Sequence, residues 1–128
     1  MEANLNEIII NGISYIRKDR VENIPAKLDG KTYCIIRTYS AGVFAGFINR
    51  TDALNSPYQS ATIYNSRRIH WWEGAASISQ VSQEGFKKLD ACRIAMVVPE
   101  EDLRRIIEVI PCTEVAKNQI EGAKEWKK

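Results

Sequence analysis

Two apolar runs separated by three small residues limit the fold more than anything else in this chain. Tyr33-Cys34-Ile35-Ile36-Arg37-Thr38-Tyr39 and Val43-Phe44-Ala45-Gly46-Phe47-Ile48-Asn49 are rich in β-branched and aromatic residues, and only Ser40-Ala41-Gly42 stands between them. Runs of that length and composition predict two strands, and so short a link makes them an antiparallel pair. On a period of two, Arg37 and Tyr39 share one face and Thr38 takes the other. Ala41, Gly42, Ala45 and Gly46 leave the hairpin tip bare. Bareness suits close sheet packing, and it equally suits a ligand or a second backbone coming near. The glycines lack the G-x-G-x-x-G spacing and no helix follows, so they form no dinucleotide fingerprint.

More strands and helices follow. Ser60–Asn65 predicts a third strand, and Ile69-His70-Trp71-Trp72 a fourth short strand or an extended run. A helix is expected over about Ser77–Glu84, with Ser77 and Gln80 spaced as a capping box and Gly85 as its stop. Its inner face is Ile78 and Val81. Arg93–Val98 reads as a fifth strand, Pro99-Glu100-Glu101-Asp102 as a helical turn or tight loop, and Leu103 to Pro111 as a sixth strand. Thr113 caps a last helix to about Glu121, with Glu114 well placed in its first turn. Trp126 is expected to fold back onto the body or onto a neighbouring subunit. Upstream, Ile8-Ile9-Ile10 and Ile13-Ser14-Tyr15-Ile16 flank Asn11-Gly12, a strong tight-turn signal. Lys18 to Gly30 reads as a linker, and Arg50 to Gln59 as a polar loop. The expected class is α+β: a single domain with a mostly antiparallel sheet of five or six strands, two short helices and an N-terminal hairpin arm. Residues 1–30 are assigned to the arm and linker, and residues 31–128 to the domain.

The chain's 128 residues suffice for one proper core. A net charge of +2 gives no support for a general nucleic-acid or membrane binder. There is no apolar run of membrane-spanning length and no signal-peptide pattern at the start, which predicts a cytoplasmic protein without DNA or membrane partners. Three cysteines, Cys34, Cys92 and Cys112, are odd in number and far apart, fitting neither a disulfide framework nor a zinc ribbon. Cys34 and Cys92 read as small core residues. With a single histidine and no close cysteine pair, no metal and no cofactor are expected.

Catalysis looks poorly equipped. Metal-free nucleophilic chemistry usually needs a base, most often histidine, and His70 lies between Ile69 and two tryptophans, far in sequence from every cysteine. No catalytic residue is assigned and the chain is read as not an enzyme. Binding is better served. In residues 64–85, Arg67, Arg68, Trp71 and Trp72 precede Gly74-Ala75-Ala76-Ser77, where a helix begins. Guanidiniums, flat rings and free helix-start N–H groups suit a phosphate carrying a ring. The competing reading is a buried aromatic plug before an ordinary capped helix. Each arginine alone is most simply a surface charge, and each tryptophan a core residue.

Three blocks of the chain also carry a resemblance. Ile35-Ile36-Arg37-Thr38-Tyr39-Ser40-Ala41-Gly42-Val43-Phe44-Ala45-Gly46, Ser66-Arg67-Arg68-Ile69-His70-Trp71-Trp72-Glu73-Gly74-Ala75-Ala76-Ser77-Ile78-Ser79-Gln80 and Ile110-Pro111-Cys112-Thr113-Glu114-Val115-Ala116-Lys117 resemble small phage proteins of the Thoeris anti-defence sponge family. The likeness covers roughly residues 32–120. It implies a non-enzymatic phage protein acting in the cytoplasm of the infected bacterium. Such sponges bind glycocyclic ADP-ribose signals made by defence TIR proteins and hold them uncleaved; some members also bind cyclic tri- or dinucleotides. They assemble as dimers and hexamers with ligand sites at subunit interfaces. The ligand-binding residues expected here are Arg37, Tyr39, Ala41, Phe44, Arg67, Arg68, Trp71, Gly74, Ala75, Ser77, Lys117 and Asn118. Lys117 and Asn118 are included because the last helix could reach a site across an interface. Ser66 departs from the alanine expected before the arginine pair, and the 1–30 arm and 50–59 loop lie outside the shared blocks. The Asn11-Gly12 arm and Trp126 also suit another class, a phage structural or regulatory protein acting through protein contacts.

Overall fold

The computed structural model describes Glu7–Ile10, Ile13–Ile16 and residues 27–127. Strands β1 (Glu7–Ile10) and β2 (Ile13–Ile16) form an antiparallel two-stranded sheet of their own. The turn between them and most of the expected linker lie outside the described residues. At the linker's end, β3 (Lys27–Leu28) pairs with the start of β4 (Lys31–Thr38). Asp29 and Gly30 both carry positive φ, 50° and 76°, as a two-residue turn matched to strand twist requires.

The hairpin expected from the sequence is formed by β4 and β5 (Val43–Ile48). Thr38 fastens its tip: the hydroxyl donates to the Gly42 carbonyl at 2.9 Å and accepts from the Ala41 N–H at 2.9 Å. The third and fourth expected strands are one, β6 (Ala61–Trp71), eleven residues long and bent at a bulge where Asn65 and Ser66 oppose Gly46. The polar loop contains a short helix, α1 (Arg50–Asn55), capped by the Asn49 side chain. It buries no residue, so no apolar stripe marks it in the sequence. Of the expected fifth strand, Arg93–Ile94 forms β7 and Val98 opens the next strand. The turn expected at residues 99–102 is instead part of strand β8 (Val98–Leu103), and the sixth strand is β9 (Ile106–Pro111). Pro99 and the acids fit β8 because it is an edge strand whose outward positions face water. Helices α2 (Ile78–Glu84) and α3 (Glu114–Glu121) begin at Ser77 and Thr113, as expected.

Across the sheet the order is β9, β4, β5, β6, β8, with β3 beside β4 and β7 beside β6. The outer strands β8 and β9 are consecutive in the chain, joined only by Arg104 and Arg105. Laid flat, four strand intervals would separate them by ~19 Å. From Leu103 to Ile106 the chain can reach only ~10–11 Å. The sheet therefore curls strongly. Inside the curl lie Cys34, Ile36, Phe44, Ile48, Ile63, Leu103 and Ile106. The opposite face carries Tyr33, Ile35, Ala45, Phe47 and Ile69, covered by α2 through Ile78 and Val81 and by α3 through Ala116 and Ile120. Cys34 and Cys112 are fully buried and Cys92 is half-buried, all free thiols. Trp126 does fold back onto the body: its N–H donates to the Ile94 carbonyl at 2.9 Å, and its ring meets His70 at 5.5 Å.

Candidate functional site

The two arginines at the centre of the sequence reading have opposite fates. Arg67 is only 2% exposed and lies on the helix-covered face. Its guanidinium donates to the carbonyls of Ala95 at 2.8 Å, Ile120 at 2.7 Å and Ala123 at 2.7 Å, with Ile94 more distant at 3.5 Å. Ile120 lies in the last turn of α3, where its carbonyl also accepts from the Ala123 N–H at 3.2 Å, and Ala123 follows just beyond the helix. Burial pushes its pKa down, against the opposing influence of Tyr33 and Glu125. Arg67 is thus a structural cation that ties β6 to the C-terminal segment, and its donors are not open to a ligand. Arg68 is exposed, with its guanidinium 4.7 Å from the centroid of the Phe44 ring. Among the described residues it has no carboxylate partner. Phe44 is only 1% exposed, so it supports Arg68 from below and offers no stacking face of its own.

The expected cradle at Gly74–Ser77 is largely closed. The Ala76 N–H donates to the Gln80 side chain at 2.8 Å, and the Gln80 N–H to the Ser77 hydroxyl at 3.1 Å. This is the reciprocal pairing of a capping box, displaced by one residue on its return arm. Gly74 has a φ of 81° and accepts from the Lys87 N–H. A Cβ there would strike the Lys87–Lys88 backbone, which accounts for the glycine. Ala75 packs against the helix-side core. These residues build a turn and a cap, which occupies the Ala76 and Gln80 N–H groups.

The remaining expected residues are dispersed. Arg37 pairs with Glu108 across the strands at 3.0 Å. Lys117 is held by Glu121 at 2.7 Å and Glu114 at 4.0 Å within its own helix. Asn118 is exposed on α3, Ala41 is exposed at the hairpin tip, and Trp71 is exposed at the end of β6. Tyr39 is exposed too, and the Arg105 guanidinium sits 4.4 Å from its ring centroid. The sequence reading missed Arg105. Its signal was weak, two arginines between apolar strands, and its pairing with Tyr39 comes from the curl of the sheet. Ser66, the departure from the resembling block, is buried and donates to Glu101 at 2.8 Å. Among the described residues no cluster of His, Cys, Asp or Glu could hold a metal ion, and no helix is long and apolar enough to cross a membrane.

The class defined by this geometry is a curled antiparallel α+β domain whose exposed cations stand over aromatic rings. The chain belongs to the DUF6948 family, a domain of unknown function, which it matches over residues 31–120. No curated protein and no solved structure matches it.

Proposed function

We propose that this protein binds and sequesters, without cleaving it, a cyclic ADP-ribose-type immune signal, as a phage anti-defence sponge working in the cytoplasm of the infected bacterium. A cyclic oligonucleotide is a second ligand of the same chemistry. The reading includes a homo-oligomer, dimer or hexamer, with the site completed at a subunit interface. The observation that carries it is Arg68: an exposed guanidinium, propped on a buried ring and free of any carboxylate among the described residues, within the block that resembles the sponges. A guanidinium so held is well suited to a phosphate oxygen. Tyr39 and Trp71 offer exposed rings for an adenine.

The test mixes purified protein with glycocyclic ADP-ribose, filters it, and denatures the retained fraction. The signal should disappear from the filtrate and return unchanged after denaturation. A changed product, or no depletion, defeats the reading. Arg68→Ala should weaken retention by roughly tenfold or more while leaving the fold intact. An exposed apolar run, Met96, Val97 and Val98, favours the second class, a protein that acts through protein contacts. A stoichiometric host or virion protein recovered from infected cells, with no nucleotide in the heat extract, would favour that reading instead.

A further inference from the structure

We propose that the cleft between residues 57–62 and the β8–β9 corner binds a nucleoside phosphate, with Arg104 and Arg105 taking the phosphate and Tyr58 the ring. The cleft measures about 790 Å³, within the usual range for small-molecule sites. Residues 57–62 and 102–105 line it, with Ala61 and Thr62 paired to Leu103 and Asp102 along the sheet. None of the lining residues falls in the blocks that carry the sponge resemblance, and the contact between the two regions is Arg105 on Tyr39.

Three features point to this ligand class. Arg104 and Arg105 are adjacent, exposed and without a carboxylate partner among the described residues. Both arginines line the cleft, and a guanidinium fork matches a phosphate oxygen pair. Tyr58 is 78% exposed at the same cleft, a ring with no stacking partner among the described residues. Asp102 accepts from the Thr62 hydroxyl at 2.7 Å. Its remaining acceptor capacity suits a ribose hydroxyl or an exocyclic amine.

The walls are also held in place. Gln59 and Arg105 both adopt the left-handed region, with φ of 53° and 57°, uncommon for residues other than glycine. The Gln59 carbonyl accepts from the Ile106 N–H at 2.8 Å, linking one wall to the other. The Arg105 carbonyl accepts from the Tyr39 N–H at 2.9 Å, and its guanidinium rests on the Tyr39 ring. Backbone strain of this kind persists only where surrounding contacts fix it, and it collects at binding sites. An arginine held at both backbone and side chain loses less freedom on meeting a phosphate.

The experiment is calorimetric titration of the full chain with AMP, adenosine and inorganic phosphate. AMP should bind more tightly than either half alone. Tyr58→Ala and Arg104→Gln alter exposed side chains, and Arg105→Asn keeps a residue tolerant of the left-handed region. Each arginine variant should weaken AMP by roughly tenfold or more with an unchanged circular dichroism spectrum. Lys87→Ala, an exposed cation outside both sites, should leave AMP affinity unaltered. No binding at millimolar AMP, equal affinity in Arg104→Gln and Tyr58→Ala, or loss in Arg68→Ala alone each overturns the cleft assignment. Failure to retain glycocyclic ADP-ribose alongside intact AMP binding would remove the sponge reading and leave the cleft standing.

Discussion

Replacing Arg67 by methionine isolates its structural role. The change keeps most of the side-chain volume and removes the charge and all donors. Three short bonds, to Ala95, Ile120 and Ala123, are lost. At ~1.5–3 kcal/mol for each bond from a charged donor, the gross loss is ~4.5–9 kcal/mol. Against this stands the guanidinium's own desolvation, which costs several kcal/mol and vanishes with it. The carbonyl of Ala123 lies part-buried and can recruit water, while the buried carbonyl of Ile120 keeps the Ala123 N–H at 3.2 Å. The net destabilisation should be ~3 kcal/mol. That is a large share of the ~5–15 kcal/mol that holds a domain together. In urea, with a slope of ~2 kcal/mol/M, the midpoint should fall by ~1.5 M with the slope unchanged. Hydrogen exchange should show the amides at the end of α3 and the Trp126 N–H losing protection first. An unfolding free energy within ~0.5 kcal/mol of the parent would refute the reasoning, because surface substitutions fall in that range. Arg67 would then be one more replaceable surface cation.

Other outcomes follow from the same structure. Burial raises the Cys34 and Cys112 thiols from 9.0 to about 12, and it raises the Tyr33 hydroxyl as well. The unfolded chain therefore releases these protons first as pH rises. Stability should hold up to about pH 8.5 and then fall by as much as ~1.4 kcal/mol per pH unit per group, as urea midpoints across pH 8–11 will show. Thiol labelling of the native protein at pH 8 should modify the half-buried Cys92 alone, with Cys34 and Cys112 reacting only on unfolding. Thr113→Val removes a hydroxyl that accepts from the Ala116 N–H at 3.2 Å and donates to the Gln83 carbonyl at 3.0 Å, so α3 loses its cap and one of its ties to α2. Thermal unfolding should report a loss of ~1–2 kcal/mol. Gly74→Ala forces a Cβ into the Lys87–Lys88 backbone at a positive φ, and should cost ~2 kcal/mol or more by the same measurement.

What the residues disclosed depended on how local the governing physics was. The β4–β5 hairpin and the caps at Ser77 and Thr113 involve neighbours within a few positions, and each formed where expected. The α1 helix and β8 did not show because their polar, outward residues leave no period to read. β8 owes its pairing to β6, through bonds such as Thr62 to Asp102 and Ser66 to Glu101. The role of Arg67 was hidden for a stronger reason. Its acceptors lie 27 to 56 residues away, and the pairing of β7 and the return of the C-terminal segment bring them to β6. The candidate site was legible as residue types and not as a constellation. Arginines and rings were evident, but which cation stands over which ring follows from the curl.

The bulge in β6 decides which arginine faces outward. Before it, Ile63 pairs with Ile48 inside the curl and Tyr64 pairs with Phe47 on the helix side. Strict alternation from there would send Arg67 into the curl and Arg68 under the helices. The extra residue reverses the parity. Asn65 takes a φ of 52°, and Asn65 and Ser66 together oppose Gly46. A Cβ at position 46 would collide with Ile63 and with the Tyr64 carbonyl, so the bulge needs a glycine on the partner strand. Arg67 then lies opposite Ala45 and reaches the end of α3, while Arg68 lies opposite Phe44 and emerges into solvent. The bare positions of the hairpin are thus accounted for at Gly46 by packing against β6. The same packing puts Arg68 on the Phe44 side of β6, where its guanidinium meets solvent.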